Sequence, residues 1–107
     1  MKITFSGYEI RIVWKLHRGT YYGGKHTSID HLSHGFPSHS GREIKSAIEE
    51  LIKKQIIIVE KKTKEDHVCL NKNKIKLIYH LVDWFIDNMK LIDTNHLEKK
   101  YFEMDDE

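Results

Sequence analysis

Ser40-Gly41-Arg42-Glu43-Ile44-Lys45-Ser46-Ala47-Ile48-Glu49-Glu50-Leu51-Ile52-Lys53-Lys54 is the stretch on which the fold turns. Ile44, Ala47, Ile48, Leu51 and Ile52 recur at i, i+3, i+4, i+7 and i+8, the spacing of one apolar face of an α-helix. Arg42, Lys45, Ser46, Glu49 and Lys53 fall on the opposite side. Ser40 and Glu43 stand three apart, as a capping box requires, so the helix is expected to start there. After Gln55 the period changes. Ile56-Ile57-Ile58-Val59 is β-branched throughout and reads as a strand continuing into Glu60-Lys61-Lys62. Thr63 to Asp66 is a polar turn, and His67 to Asn71 supplies a second strand with Val68 and Leu70 on one face. Cys69 falls on the other face, as a half-buried thiol. The unit is a helix followed by a β-hairpin.

Upstream, Ser6-Gly7-Tyr8-Glu9 has the same capping-box spacing, with Phe5 and Ile10 at the hydrophobic-staple positions. The helix it opens, about 7–18, carries Ile10, Val13, Trp14 and His17 on one face. Gly19 to Gly24 interrupts it as a loop. A short helix is expected from Thr27-Ser28-Ile29-Asp30 to about His34, with only Ile29 and Leu32 to bury. Gly35-Phe36-Pro37 ends it, because proline cannot continue a helix and restricts its predecessor. Phe36 is expected to plug into the core.

Downstream, residues from about Lys74 to Leu91 read as a long helix. Ile75, Ile78, Tyr79, Val82, Ile86 and Met89 form one stripe, and Leu77, Leu81, Trp84 and Phe85 carry apolar character round the cylinder. Only a narrow strip stays polar. A helix apolar over most of its girth must be covered from two sides, and a second subunit is the expected cover for Leu77, Leu81, Trp84 and Phe85. The domain reading is therefore a body over 1–72, a dimerisation helix over 73–92 packed on it, and an acidic tail over 93–107, frayed or disordered.

The chain has 107 residues, room for one core, and 32% charged residues. Its net charge of +2 hides a division. Residues 1–74 hold 14 Lys/Arg against 8 Asp/Glu, whereas 75–107 hold 4 against 8. A basic body suits a polyanionic partner. No apolar run is long enough for a membrane span, and the first residues lack the form of a signal peptide. One cysteine makes no internal disulfide, which fits a cytoplasmic protein. Nucleotide-binding glycine loops, HExxH and nucleophile-elbow motifs are absent, so neither enzyme activity nor a cofactor is expected. His31 and His34, with His39 or Cys69, offer a metal-responsive alternative, but no spacing matches a zinc pattern.

The order helix, short helix, tight turn, strong helix, β-hairpin resembles the winged helix-turn-helix family of DNA-binding domains over about residues 8–71. His26 to Leu32 looks like its short strand and second helix, Ile44 to Ile58 like its recognition helix running into the wing, and Lys61 to Asn71 like the wing. The chain is also similar to small archaeal transcription regulators with a C-terminal dimerisation helix. Where the family has Gly after the recognition helix, this chain has Gln55. The resemblance implies an α+β, mainly helical winged-helix fold and sequence-specific binding of double-stranded DNA by a homodimer. Helix 40–54 would enter the major groove and wing 57–71 would lie on backbone or minor groove. The expected DNA-contacting residues are Ser38, His39, Ser40, Arg42, Lys45, Ser46 and Glu49 on the helix, Lys61, Lys62 and Lys64 on the wing, and Lys25 on a flanking phosphate. Arg42 suits bidentate guanine readout, and Glu49 suits a cytosine amine. The acidic residues Glu43, Glu49 and Glu50 keep open a second use, as a protein-binding winged-helix module in a larger assembly.

Overall fold

Ser6 begins the first helix as its sequence requires. In the computed structural model, which describes residues 2–61 and 65–105, Glu9 N–H donates to Ser6 Oγ at 3.2 Å and Ser6 N–H donates to Glu9 Oε1 at 3.0 Å. Phe5 and Ile10 are both buried beside this box. Strand β1 (Lys2–Ser6) thus turns directly into helix α1 (Gly7–Arg18). Strand β2 (Thr27–Ser28) and helix α2 (Ile29–Ser33) follow, then helix α3 (Gly41–Lys53). Thr27 and Ser28, expected inside the short helix, are instead strand, with Ser28 capping α2 through a bond from His31 N–H at 3.1 Å. Strands β3 (Ile57–Lys61) and β4 (Asp66–Leu70) form the hairpin. Helix α4 (Ile75–Asn88) and strand β5 (Lys100–Asp105) complete an α+β protein with four α-helices among the described residues.

The hairpin register pairs Ile57 with Leu70, Val59 with Val68 and Lys61 with Asp66. Thr27 and Ser28 pair with Val68 and His67, so the sheet order is β2-β4-β3. Cys69 is buried rather than half-buried, because the loop after α1 lies over it, with Leu70 N–H donating to Tyr21 O at 2.8 Å. Burial pushes the Cys69 thiol above its ordinary pKa and the nearby Glu60 charge adds to this, against a bond from the Gly23 backbone. That is the reverse of an activated thiolate. Phe36 is half-buried and stacks on Tyr8, ring centroids 5.8 Å apart, at the core's edge rather than within it.

The C-terminal segment departs most from expectation. Residues 100–105 are not a tail but a strand, antiparallel to β1, with Ile3 opposite Met104 and Phe5 opposite Phe102. The cover assigned above to another subunit comes in part from α1 and in part from this second sheet. Leu77, Leu81 and Phe85 are buried within the chain itself. Phe85 packs on Trp14 with ring centroids 5.3 Å apart, and Trp84 packs on Phe102 at 5.2 Å. The approach to β5 also caps α1, since Gly7 N–H donates to Lys99 O at 3.1 Å and Tyr8 N–H to Leu97 O at 3.0 Å. A side chain at position 7 would place its Cβ 2.9 Å from the Leu97 carbonyl oxygen, so glycine is required there. The Cα radius of gyration, 13.0 Å, is that of one compact unit of this length.

Two helix ends carry strain. After α1 the left-handed position is filled by Thr20 (φ +57°), and after α3 by Gln55 (φ +63°). In both places the bonds are those of a Schellman motif: Tyr21 N–H to Leu16 O and Thr20 N–H to His17 O, then Ile56 N–H to Leu51 O and Gln55 N–H to Ile52 O. Gln55 therefore takes a left-handed backbone shape that glycine adopts more readily. A β-branched residue fits this conformation worst. Thr20→Gly is expected to raise unfolding free energy by about 1 kcal/mol and Gln55→Gly by somewhat less, read by urea denaturation.

Candidate nucleic-acid interface

Helix α3 presents its polar side outward because Ile44, Ala47, Ile48 and Leu51 sink into the core. Arg42, Lys45, Ser46, Glu49 and Lys53 are exposed, as are Ser38 and His39 in the preceding turn. The fifth residue of the apolar pattern, Ile52, is 37% exposed and joins the outer surface beside Lys45. Ile58 on β3 is exposed as well.

Ser40 does not belong to this face. It is fully buried, and its hydroxyl accepts a hydrogen bond from Tyr8 Oη at 3.1 Å. The capping box expected with Glu43 does not form, because the hydroxyl is turned inward to the tyrosine and makes no bond to the first turn of α3. Glu43, freed from that role, is exposed. With Arg42, Ser46 and Glu50 it borders a shallow concavity closed on its far side by Glu98 and Lys100. The C-terminal segment thus flanks α3 on the side of Arg42, Glu43, Ser46 and Glu50, where Arg42 and Ser46 stay exposed, as do Lys45 and Glu49.

Lys25 is exposed but engaged: its ammonium donates to Gly19 O at 2.9 Å and to Thr20 Oγ1 at 3.1 Å, and lies over the Tyr21 ring. It caps the C-terminal end of α1 rather than standing free for a phosphate. Lys61 ends β3 opposite Asp66, at the hairpin's outer end. Lys62 and Lys64 lie outside the described residues.

His31 and His34 are exposed with ring centroids 5.7 Å apart, and His39 is exposed in the turn. Among the described residues no three histidine, cysteine or acidic side chains are placed to hold a metal. A different pair, missed in the sequence, does meet: His26 Nδ1 and His67 Nδ1 lie 2.8 Å apart, flanked by Glu60 at 3.1 Å and Glu65 at 3.5 Å. These residues stand 41 positions apart, and only the β2–β4 pairing brings them together.

The angle at which α3 stands depends on Glu9. This carboxylate is 1% exposed, bonded to Ser6 N–H and ion-paired with Lys54, the residue that ends α3. Lys54 also donates to Thr4 O at 2.6 Å and lies 4.8 Å over the Phe5 ring, while Lys100 comes within 3.7 Å of Glu9. One ion pair therefore fixes α3 against α1 and β1. Sequence spacing gave Glu9 its capping role but carried no signal of a partner 45 residues away.

On α4, Tyr79 and Ile86 are each 52% exposed and Met89 is 47% exposed. With half-buried Ile75 and with Val82 they recur at alternating steps of four and three, the spacing of a coiled-coil seam. The apolar surface left on α4 is thus this stripe and not the Leu77, Leu81, Trp84, Phe85 side. No described helix is long and apolar enough to cross a membrane.

Comparison with known proteins yields no match. Family models, curated proteins and solved structures all fail to align with the chain. What the surface does must be argued from its own residues.

Lys54→Met would leave the Glu9 carboxylate buried with only the more distant Lys100 as counter-charge. Breaking a buried pair by removing one partner is costly, so this change is expected to destabilise the protein by about 3 kcal/mol in urea denaturation. The double variant Glu9→Gln, Lys54→Met is expected to recover part of that loss.

Proposed function

We propose that the chain is a winged helix-turn-helix protein that binds duplex DNA as a homodimer and acts as a transcription regulator. The observation that carries this reading is an exposed Arg42, Lys45, Ser46 and Glu49 face on α3, preceded by α2 and a tight turn and followed by the hairpin of the β2-β4-β3 sheet. A helix in this setting fits a major groove with its N-terminal residues at the base edges. Arg42 is the residue assigned to guanine, Lys45 and Ser46 assist it, and Lys61 with its neighbours in the hairpin turn meets the backbone. Charge supports the same reading, since residues 1–74 hold the basic excess.

Pairing is assigned to the exposed α4 stripe. In an antiparallel two-fold arrangement Ile75 falls opposite the partner's Ile86, with Tyr79 packed between them, which brings Lys76 toward the partner's Asp83. The two-fold relation implies a near-palindromic site with half-sites about 34 Å apart. Ile86→Asp is expected to yield monomers in analytical ultracentrifugation and to weaken binding to the full site without melting the fold.

The acidic flank formed by Glu43, Glu50 and Glu98, with exposed Ile52 beside Lys45, favours a second reading, a protein-binding module. A salt titration on random duplex separates the two. DNA binding requires affinity that falls steeply as salt rises; no binding at low salt selects the protein module. On a preferred sequence Arg42→Ala is expected to cost about 1–3 kcal/mol and to relax discrimination at one base pair.

A further inference from the structure

Helix α1 carries a row of cations with no acidic counterpart. Arg11, Lys15 and Arg18 stand at i, i+4 and i+7, on one side of the helix. Like charges at this spacing oppose helix formation. A fourth cation, Lys90, reaches the same place from the turn that ends α4. Together they line a groove of about 510 Å³ between α1, the turn at Gly35 and the end of α4. No carboxylate lines it, and among the described residues none of the four is in an ion pair. Asp93, next to lining residues Ile92 and Thr94, lies 3.8 Å from His96 instead.

Two of the cations are held in place by neutral groups. The Lys15 ammonium donates to His34 O, and both it and the Arg11 guanidinium lie 5.4 Å over the Phe36 ring. Burial lowers the Lys15 pKa, and the neighbouring Arg11 and Arg18 charges lower it further. The groove is thus a place where positive charge is concentrated, partly dried and uncompensated. Its wall is aromatic: Trp14 and Phe85 pack at 5.3 Å and present an apolar surface between the two sources of charge. A chain of net charge +2 that gathers four cations round two aromatic rings leaves room for a ligand to neutralise them.

We infer that this groove binds a small amphipathic anion, with an aromatic or acyl body against Trp14 and Phe85 and a carboxylate or phosphate head between Arg18 and Lys90. The volume is that of a drug-sized ligand. Arg18 and Lys90 are exposed, so they can close on the head from opposite sides, while Lys15 and Arg11 supply field from beneath. The site is separate from the exposed side of α3 and does not rest on the DNA-binding reading.

The test uses the fluorescent probe 8-anilinonaphthalene-1-sulfonate on the full chain, with neutral N-phenyl-1-naphthylamine as its uncharged counterpart. The expected result is saturable one-to-one binding of the sulfonate per protomer, at least tenfold tighter than the neutral compound. The double variant Arg18→Gln, Lys90→Gln should weaken the sulfonate at least tenfold while its melting temperature stays level or rises, because a repulsion has been removed. Ile86→Gln, which alters the exposed α4 stripe without placing a carboxylate four residues before Lys90, should leave the titration unchanged. Competition by 1-naphthaleneacetate and by 1-naphthyl phosphate tells which head is preferred; displacement by either supports the site, and failure of both overturns it. Equal affinity for the neutral compound, unchanged binding in the double variant, or loss of binding in Ile86→Gln overturns it as well. Displacement of the probe by a short DNA duplex would hand these cations to the nucleic-acid backbone and overturn it too.

Discussion

A carboxylate almost wholly removed from water holds the molecule's geometry together. Burying an ionised group costs several kcal/mol unless its charge and lone pairs are met. Glu9 meets that condition with the Ser6 backbone N–H, the Lys54 ammonium and the more distant Lys100. These partners come from β1, from the end of α3 and from β5, so one side chain sets the mutual position of three separate parts of the fold. The charge of Lys54 also sits at the C-terminal end of α3, where the helix dipole favours a cation. Any function of the outer face of α3 inherits its orientation from this contact.

Around that contact the two ends of the described chain close on each other. Leu97 and Lys99 lend their carbonyl oxygens to the first N–H groups of α1, groups that no helix can satisfy internally. Leu97 itself is buried at 1% exposure against Gly7, which has no side chain to resist the approach. Phe102 then lies between Phe5 and Trp84, covering the Trp84 side of α4. The girth of α4 is therefore apolar for two internal reasons, and only the Tyr79 and Ile86 stripe is left over.

What the sequence disclosed was the local part. Ser6 and Glu9 formed their box as spaced, because both partners lie within one turn and nothing competes for them. Ser40 and Glu43 have the same spacing and did not, because Tyr8, 32 positions earlier, takes the serine hydroxyl. The amphipathic pattern of α3 held for Ile44, Ala47, Ile48 and Leu51 but overshot at Ile52, which lies at the rim of the buried face and is exposed although Leu51 and Ile56 on either side are buried. The β3–β4 hairpin was legible from its change of period, whereas β1 and β5 were not, since each is short and finds its mate at the opposite end of the chain. The excess apolar surface of α4 was read correctly and its cover was not, because periodicity records that a face is buried without recording by what. The Arg11, Lys15 and Arg18 row lay in plain view, yet its meaning depends on Lys90 and Trp14 arriving beside it in space.

The pairing of Lys2 with Asp105 carries a consequence for how the protein forms. Bringing together strands about a hundred residues apart demands a long loop closure, and that entropy must be met before the paired strands return any gain. The helices and the hairpin can assemble from near neighbours, but the aromatic side of α4 at Trp84 stays wet until the last strand docks. Until residues 100–105 have been made and docked, a sticky aromatic surface stays open, and crowding or cleavage at that stage would favour aggregation over folding.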